Sequence, residues 1–174
     1  NYNFNRKFDI NNGYIYGQKR GRVAGLKFGF FRMSYNGCEV IAIYNAIRLK
    51  GRGMPISRIA FEMEVNGAST LYGIFGSNPY FIGKFLQANS IRYSIALSVS
   101  KLNSYLRKGG VYIISFWNTK TVFGGIHTVA VHFNYSRFNV YNLYGNGVEP
   151  TKICSCYFQS IYTGGRFIVG YYLY

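Results

Sequence analysis

What most limits the fold of this chain is a change of hydrophobic period near its middle. From Cys38 onward, Val40, Ile41, Ile43, Tyr44 and Ile47 recur at helical spacing until Gly51-Arg52-Gly53 stops the run, which predicts a buried helix opening at Cys38. A shorter helix fits Ile56 to Glu64. Ser77-Asn78-Pro79 supplies a cap and a first-turn proline ahead of Tyr80 to Gln87, and Ser100 is placed to cap Lys101 to Lys108 before Gly109-Gly110. Beyond that point the runs are β-branched and aromatic: Val111 to Trp117, His127 to Val131, Phe138 to Tyr144, and Arg166 to Leu173. Helices first and strands afterwards describe an α+β domain, with an N-terminal helical half and an antiparallel sheet built from the C-terminal half. The length of 174 residues suits one domain. Residues 1–33, where no period is firm, are expected as an arm or irregular strands, 34–110 as the helical half and 111–174 as the sheet half.

Charge narrows the chemistry. Twenty Lys and Arg face only five acids, Asp9, Glu39, Glu62, Glu64 and Glu149, for a formal charge of +15, so the expected partner is a polyanion or an acidic protein. Paired-carboxylate chemistry needs two carboxyl groups around one bond. Glu62 and Glu64 are close in sequence but two apart on a helix, where they do not face each other. The two histidines, His127 and His132, have no cysteine near them, so no metal site is expected. No phosphate-binding loop or dinucleotide fingerprint is present, and no cofactor is expected. No run approaches the roughly 20 apolar residues of a membrane span. The chain starts at Asn1 rather than Met and shows no signal peptide, as an excised part of a longer protein would.

A nucleophile and a base remain. Cys38 follows Asn36-Gly37 at the start of the predicted helix, where the unpaired N–H groups and the dipole favour a thiolate. As a residue type, a buried inert cysteine is the commoner case. His127 follows Gly124-Gly125-Ile126 and opens a strand; fifteen residues later Asn142 falls on the next. An Asn side-chain oxygen there can accept the imidazole N–H and turn the ring toward sulfur. Asn139 and Asn146 are alternatives for that role, Asn139 being three residues from Asn142 and so expected on the other face. His132, five residues beyond His127, should also point to the opposite face. Cys154-Ser155-Cys156 has one intervening residue, reads as structural thiols on one face of a strand-like segment, and does not form a CxxC site. Three cysteines do not make a disulfide framework and suit a reducing compartment.

The elements Asn36-Gly37-Cys38-Glu39-Val40-Ile41-Ala42, Gly76-Ser77-Asn78-Pro79-Tyr80, Gly125-Ile126-His127-Thr128-Val129-Ala130-Val131 and Val140-Tyr141-Asn142 together resemble the papain-like cysteine peptidase superfamily. Within it they look most like the double-glycine leader peptidases, over roughly Ser34 to Tyr144. The resemblance implies a papain-like fold with the Cys–His pair across a cleft, and a Cys38-His127-Asn142 triad. The chain departs from that family's pattern in carrying Glu39 in place of Gly after the nucleophile and Arg32 in place of the Gln about six residues before it. The oxyanion donor to join the Cys38 N–H is therefore sought among Asn36, Ser34 and Arg32. The function expected is a cysteine hydrolase, peptidase or amidase. The alternatives are an RNA-cleaving or RNA-binding domain using the basic surface, and a non-catalytic interaction module. By analogy, a small basic papain-like domain looks like the effector portion of a bacterial polymorphic or contact-dependent toxin. Such a domain acts in the cytoplasm of a target cell and is held inactive by an acidic immunity protein.

Overall fold

The computed structural model describes residues 1–67, 77–120, 124–144 and 147–174. Asn146, and the stretch of the Gly-rich segment from residue 68 to Gly76, lie outside the described residues. The helical half holds α3 (Cys38–Leu49), α4 (Ile56–Val65) and α5 (Phe81–Ala88). Ahead of it come α1 (Tyr2–Arg6), the short hairpin β1 (Lys27–Phe28) and β2 (Phe31–Arg32), and the single turn α2 (Met33–Asn36). Then follow β3 (Tyr93–Ala96), α6 (Val99–Ser104), β4 (Val111–Trp117), β5 (Ile126–Asn134), β6 (Arg137–Tyr141), β7 (Thr151–Cys154) and β8 (Arg166–Leu173). Among the described residues, six of these strands form an antiparallel sheet in the order β3-β8-β4-β5-β6-β7. The α+β class expected from the change of period is what the chain adopts.

α3 is buried almost all round, from Cys38 to Ile47, as its apolar content requires. It stops where the N–H of Gly51 bonds the carbonyl of Arg48 and that of Arg52 bonds Ile47, with Gly51 at φ +72°. This is the glycine-dependent helix end in which two orphan carbonyls are satisfied at once. The sheet has two covered faces. Ile113, Ala130, Val169 and Tyr171 pack with α3, α4 and α5, while Tyr112, Ile114, Val129 and Val131 pack with Leu102, Phe158 and Ile161. Alternation along β4 and β5 sends successive residues to the two cores.

The arm is fixed by polar side chains that reach main chain far away. Asn45 of α3, fully buried, accepts from Ile15 N at 2.9 Å and donates to Ile15 O at 2.7 Å. Asp9 accepts from Ser57 N at 3.1 Å in the first turn of α4, where a carboxylate complements the helix dipole. Three local expectations shift. α6 is capped by Ser98, which accepts from Lys101 N at 3.2 Å, rather than by Ser100, and it ends at Ser104. α5 begins at Phe81 after a turn in which Asn78, not Ser77, accepts from Tyr80 N. The strand expected to reach Tyr144 ends at Tyr141, because Asn142 takes φ +65° and leaves the sheet.

Candidate active site

Cys38 is the first residue of α3 and 6% exposed. Its placement depends on Gly37, where a Cβ would lie 2.6 Å from Met33 Cβ. Only glycine lets α2 run directly into α3 and set Cys38 at the helix start. His127 lies near the start of β5, 4% exposed. Cys38 and His127 line one cleft of about 350 Å³ together with Gln18, Asn36, Ser77 and Tyr144. His132 lies at the far end of β5, opposite Val111 and Asn139 in the sheet, so Asn139 and His132 are away from the cleft.

The imidazole is held from three sides. Its Nε2 donates to the main-chain carbonyl of Asn142 at 2.7 Å. A carbonyl only accepts, so Nε2 carries the proton and Nδ1 keeps the lone pair. Tyr144 stacks on the ring, centroids 4.7 Å apart, and Phe116 meets it edge-on at 5.9 Å. Burial pushes the His127 pKa down to about 4, against a smaller upward pull from the Asn142 carbonyl.

Asn142 therefore reaches His127 with a different atom from the one expected. Its side-chain oxygen accepts from Gln18 N at 2.8 Å, and its amide donates to Gln18 Oε1 at 3.2 Å. The left-handed backbone, which Asn tolerates better than most residues, points the carbonyl at the ring and leaves the side chain to the arm.

The thiol is also differently placed from the expectation of a lowered pKa. Cys38 Sγ donates to Glu39 Oε2 at 3.1 Å, and Glu39 is 1% exposed. Burial first, then the charge of Glu39 and the hydrogen bond to it, push the thiol well above its ordinary value, and a main-chain hydrogen bond from Thr128 offsets this only in part. Burial likewise raises Glu39 to about 7, moderated by the Cys38 thiol and by its own main-chain hydrogen bonding. Burial thus favours the uncharged form of both the thiol and the imidazole.

The candidates for an oxyanion donor separate. Arg32 is exposed at the end of β2 and does not line the cleft. Asn36 lines it, but its amide donates to Phe28 O at 3.0 Å, while its Oδ1 is buried with no partner among the described residues. The carbonyl partner fixes the amide orientation, so Asn36 offers the cleft side an acceptor more readily than a donor. Ser34 lines the cleft, and its main-chain carbonyl accepts from Gln18 Nε2 at 3.2 Å. Sequence reasoning missed Gln18 and Glu39. Gln18 comes from the aperiodic arm, twenty residues before Cys38, and carries no local signal. Glu39 was visible as a departure from the family's pattern, though its burial was not. Cys154 and Cys156, expected as structural thiols on one face of a strand-like segment, are both exposed and free, with Cys154 closing β7 and Cys156 past its end.

With α3, α4 and α5 on one face of its antiparallel sheet and α6 on the other, the chain has the α+β fold of a solved papain-like peptidase domain. The structure is similar to the crystal structure of the peptidase domain of Streptococcus ComA, a bi-functional ABC transporter involved in a quorum-sensing pathway. The TM-score is 0.53 at 12% identity, over 79% of this chain and 90% of that one. No protein-family model and no curated protein sequence matches the chain.

Proposed function

We propose that the chain is a cysteine hydrolase acting on an amide bond. The observation that carries this reading is the shared cleft in which Cys38 at a helix start faces the same space as His127, whose free nitrogen is Nδ1. The thiol proton passes to Nδ1 as the thiolate attacks the carbonyl carbon. The C–N bond then breaks, the imidazolium gives that proton to the leaving nitrogen, and water hydrolyses the thioester. The Asn142 carbonyl stabilises the imidazolium as it forms. Peptide cleavage is the form suggested by the likeness to a peptidase domain.

The +15 charge supports a further reading, in which the domain is an effector toxin restrained by an acidic immunity protein that covers the cleft. Inducible expression of wild type, Cys38→Ala and His127→Ala, followed by proteome and RNA profiling, tests both statements. New peptide termini or deamidated sites with wild type alone are expected. Growth arrest and product patterns identical in all three would overturn the assignment of Cys38 and His127.

A further inference from the structure

The Cys38–His127 cleft is one end of a longer trough. A second hollow of about 430 Å³ shares Gln18, Lys19, His127 and Tyr144 with it. That hollow in turn shares Gly17, Arg20 and Gly147 with a third, of about 500 Å³, lined by Tyr14, Tyr16 and Arg22. Where these two hollows adjoin, the arm approaches Gly147. Gly17 and Gly147 meet backbone to backbone, and the Arg20 side chain lies so close on Gly147 that a Cβ there would be 2.8 Å from Arg20 Cδ.

The trough carries uncompensated positive charge. Among the described residues the ion pairs are Arg58–Glu62 and Lys152–Glu149, neither of them on the trough. Asp9 lines the third hollow, but its carboxylate is turned inward onto Ile10 N and Ser57. Glu39 lines the Cys38–His127 cleft, but it is 1% exposed and its carboxylate accepts from the Cys38 thiol. Lys19, Arg20 and Arg22 thus face the trough without an acid between them.

Aromatic faces sit beside those cations. Tyr144 is 71% exposed with one ring face taken by His127. Tyr14 is 38% exposed and leans on Tyr141, 5.0 Å between centroids. A peptide added as an extra strand would need an edge to pair with. Residues 9–22 form no strand. Cations tracking a backbone with tyrosine faces at intervals are what an unstacked polynucleotide uses, since every base has a face to stack and every linkage a charge.

We propose that the trough binds single-stranded nucleic acid, with phosphates on Lys19, Arg20 and Arg22 and bases against Tyr14 and Tyr144. The binding is independent of thiol chemistry, so it is measured in Cys38→Ala protein, where failure of the hydrolase reading has no effect on the result.

The probes are fluorescein-labelled U20 and dT20, read by anisotropy across a salt series. Affinity should fall with salt at a log–log slope of about −2, the value for three phosphate contacts on a single strand. K19Q/R20Q/R22Q should weaken binding at least about tenfold and flatten the slope. K50Q/R52Q/K108Q removes the same charge elsewhere and should change affinity less than about threefold. Tyr14→Ala and Tyr144→Ala should each weaken binding about fivefold or more at unchanged slope. Melting curves accompany each variant, and single substitutions replace a triple that does not fold. Equal losses in the two triples would show general attraction to a basic surface and overturn the trough. Polyglutamate binding as tightly, with the same dependence on Lys19, Arg20 and Arg22, would assign it to an acidic protein instead.

Discussion

The thiol of Cys38 is hydrogen-bonded to the carboxylate of its own neighbour, Glu39, at 3.1 Å, both inside the protein at the start of α3. The helix dipole favours a thiolate at this position, yet burial and an adjacent negative charge act the other way and prevail. Burial and Glu39 together favour the protonated thiol.

That relationship predicts the reactivity of the thiol. Wild-type Cys38 should be alkylated by iodoacetamide more slowly than free cysteine near neutral pH. Glu39→Gln removes the repelling charge and should speed alkylation, although burial still holds the thiol up. Mass spectrometry of the Cys38 peptide over time measures it, with exposed Cys154 and Cys156 as internal references. An unchanged rate would mean that Glu39 does not govern the thiol.

Stability against pH should show two opposed contributions. Glu39 is raised from 4.5 to about 7, so its contribution is complete below about 4.5 and is lost as pH rises through about 7. His127 is lowered from 6.5 to about 4, so its contribution is complete above about 6.5 and is lost as pH falls through about 4. The wild-type urea midpoint should therefore vary little where the two windows overlap. Glu39→Gln should expose the histidine slope, losing stability as pH falls through that range, and should exceed wild type near pH 8.

Because a main-chain carbonyl holds His127, side-chain changes at Asn142 should leave the tautomer intact. Asn142→Gly keeps φ +65° accessible and removes the bonds to Gln18. Nitrogen-15 NMR of the imidazole should still show the Nε2–H form, with stability lowered by about 1–2 kcal/mol. Loss of that tautomer would restore the side chain to the orienting role.

Gly37→Ala should disturb the start of α3. The added methyl group meets Met33 backbone and Cβ, at 2.6–2.8 Å, so something must move, at a cost of about 1–3 kcal/mol. A lower urea midpoint together with altered Cys38 alkylation is the expected outcome.

The parts of this fold that could be read from the chain are those fixed by local apolar period: α3, β4 and β8 lie where their runs predict. β3 and β7 escaped because Tyr93 to Ala96 and Thr151 to Cys154 are short and partly exposed, with little alternation to betray them. The arm escaped for another reason, since Asn45–Ile15 and Asp9–Ser57 join side chain to main chain across 30 and 48 residues. At the site, Cys38 at a helix start and His127 near a strand start were legible, whereas Asn142, expected on the next strand, lies just past its end. The atom by which Asn142 acts was not legible, because a single left-handed residue has no periodic signature. An acid in the first turn of a helix reads as a dipole partner, and nothing local distinguishes a solvated Glu39 from a buried one.

The pairing of Gln18 with Asn142 spans 124 residues. During synthesis Asp9 and Ile15 meet Ser57 and Asn45 early, but Gln18 has no Asn142 to pair with until β6 has followed. A nascent chain can thus form α3, with its thiol already in place, long before the imidazole has anything to hold it. Assembly order alone keeps the thiol and the imidazole apart until β5 has followed α3.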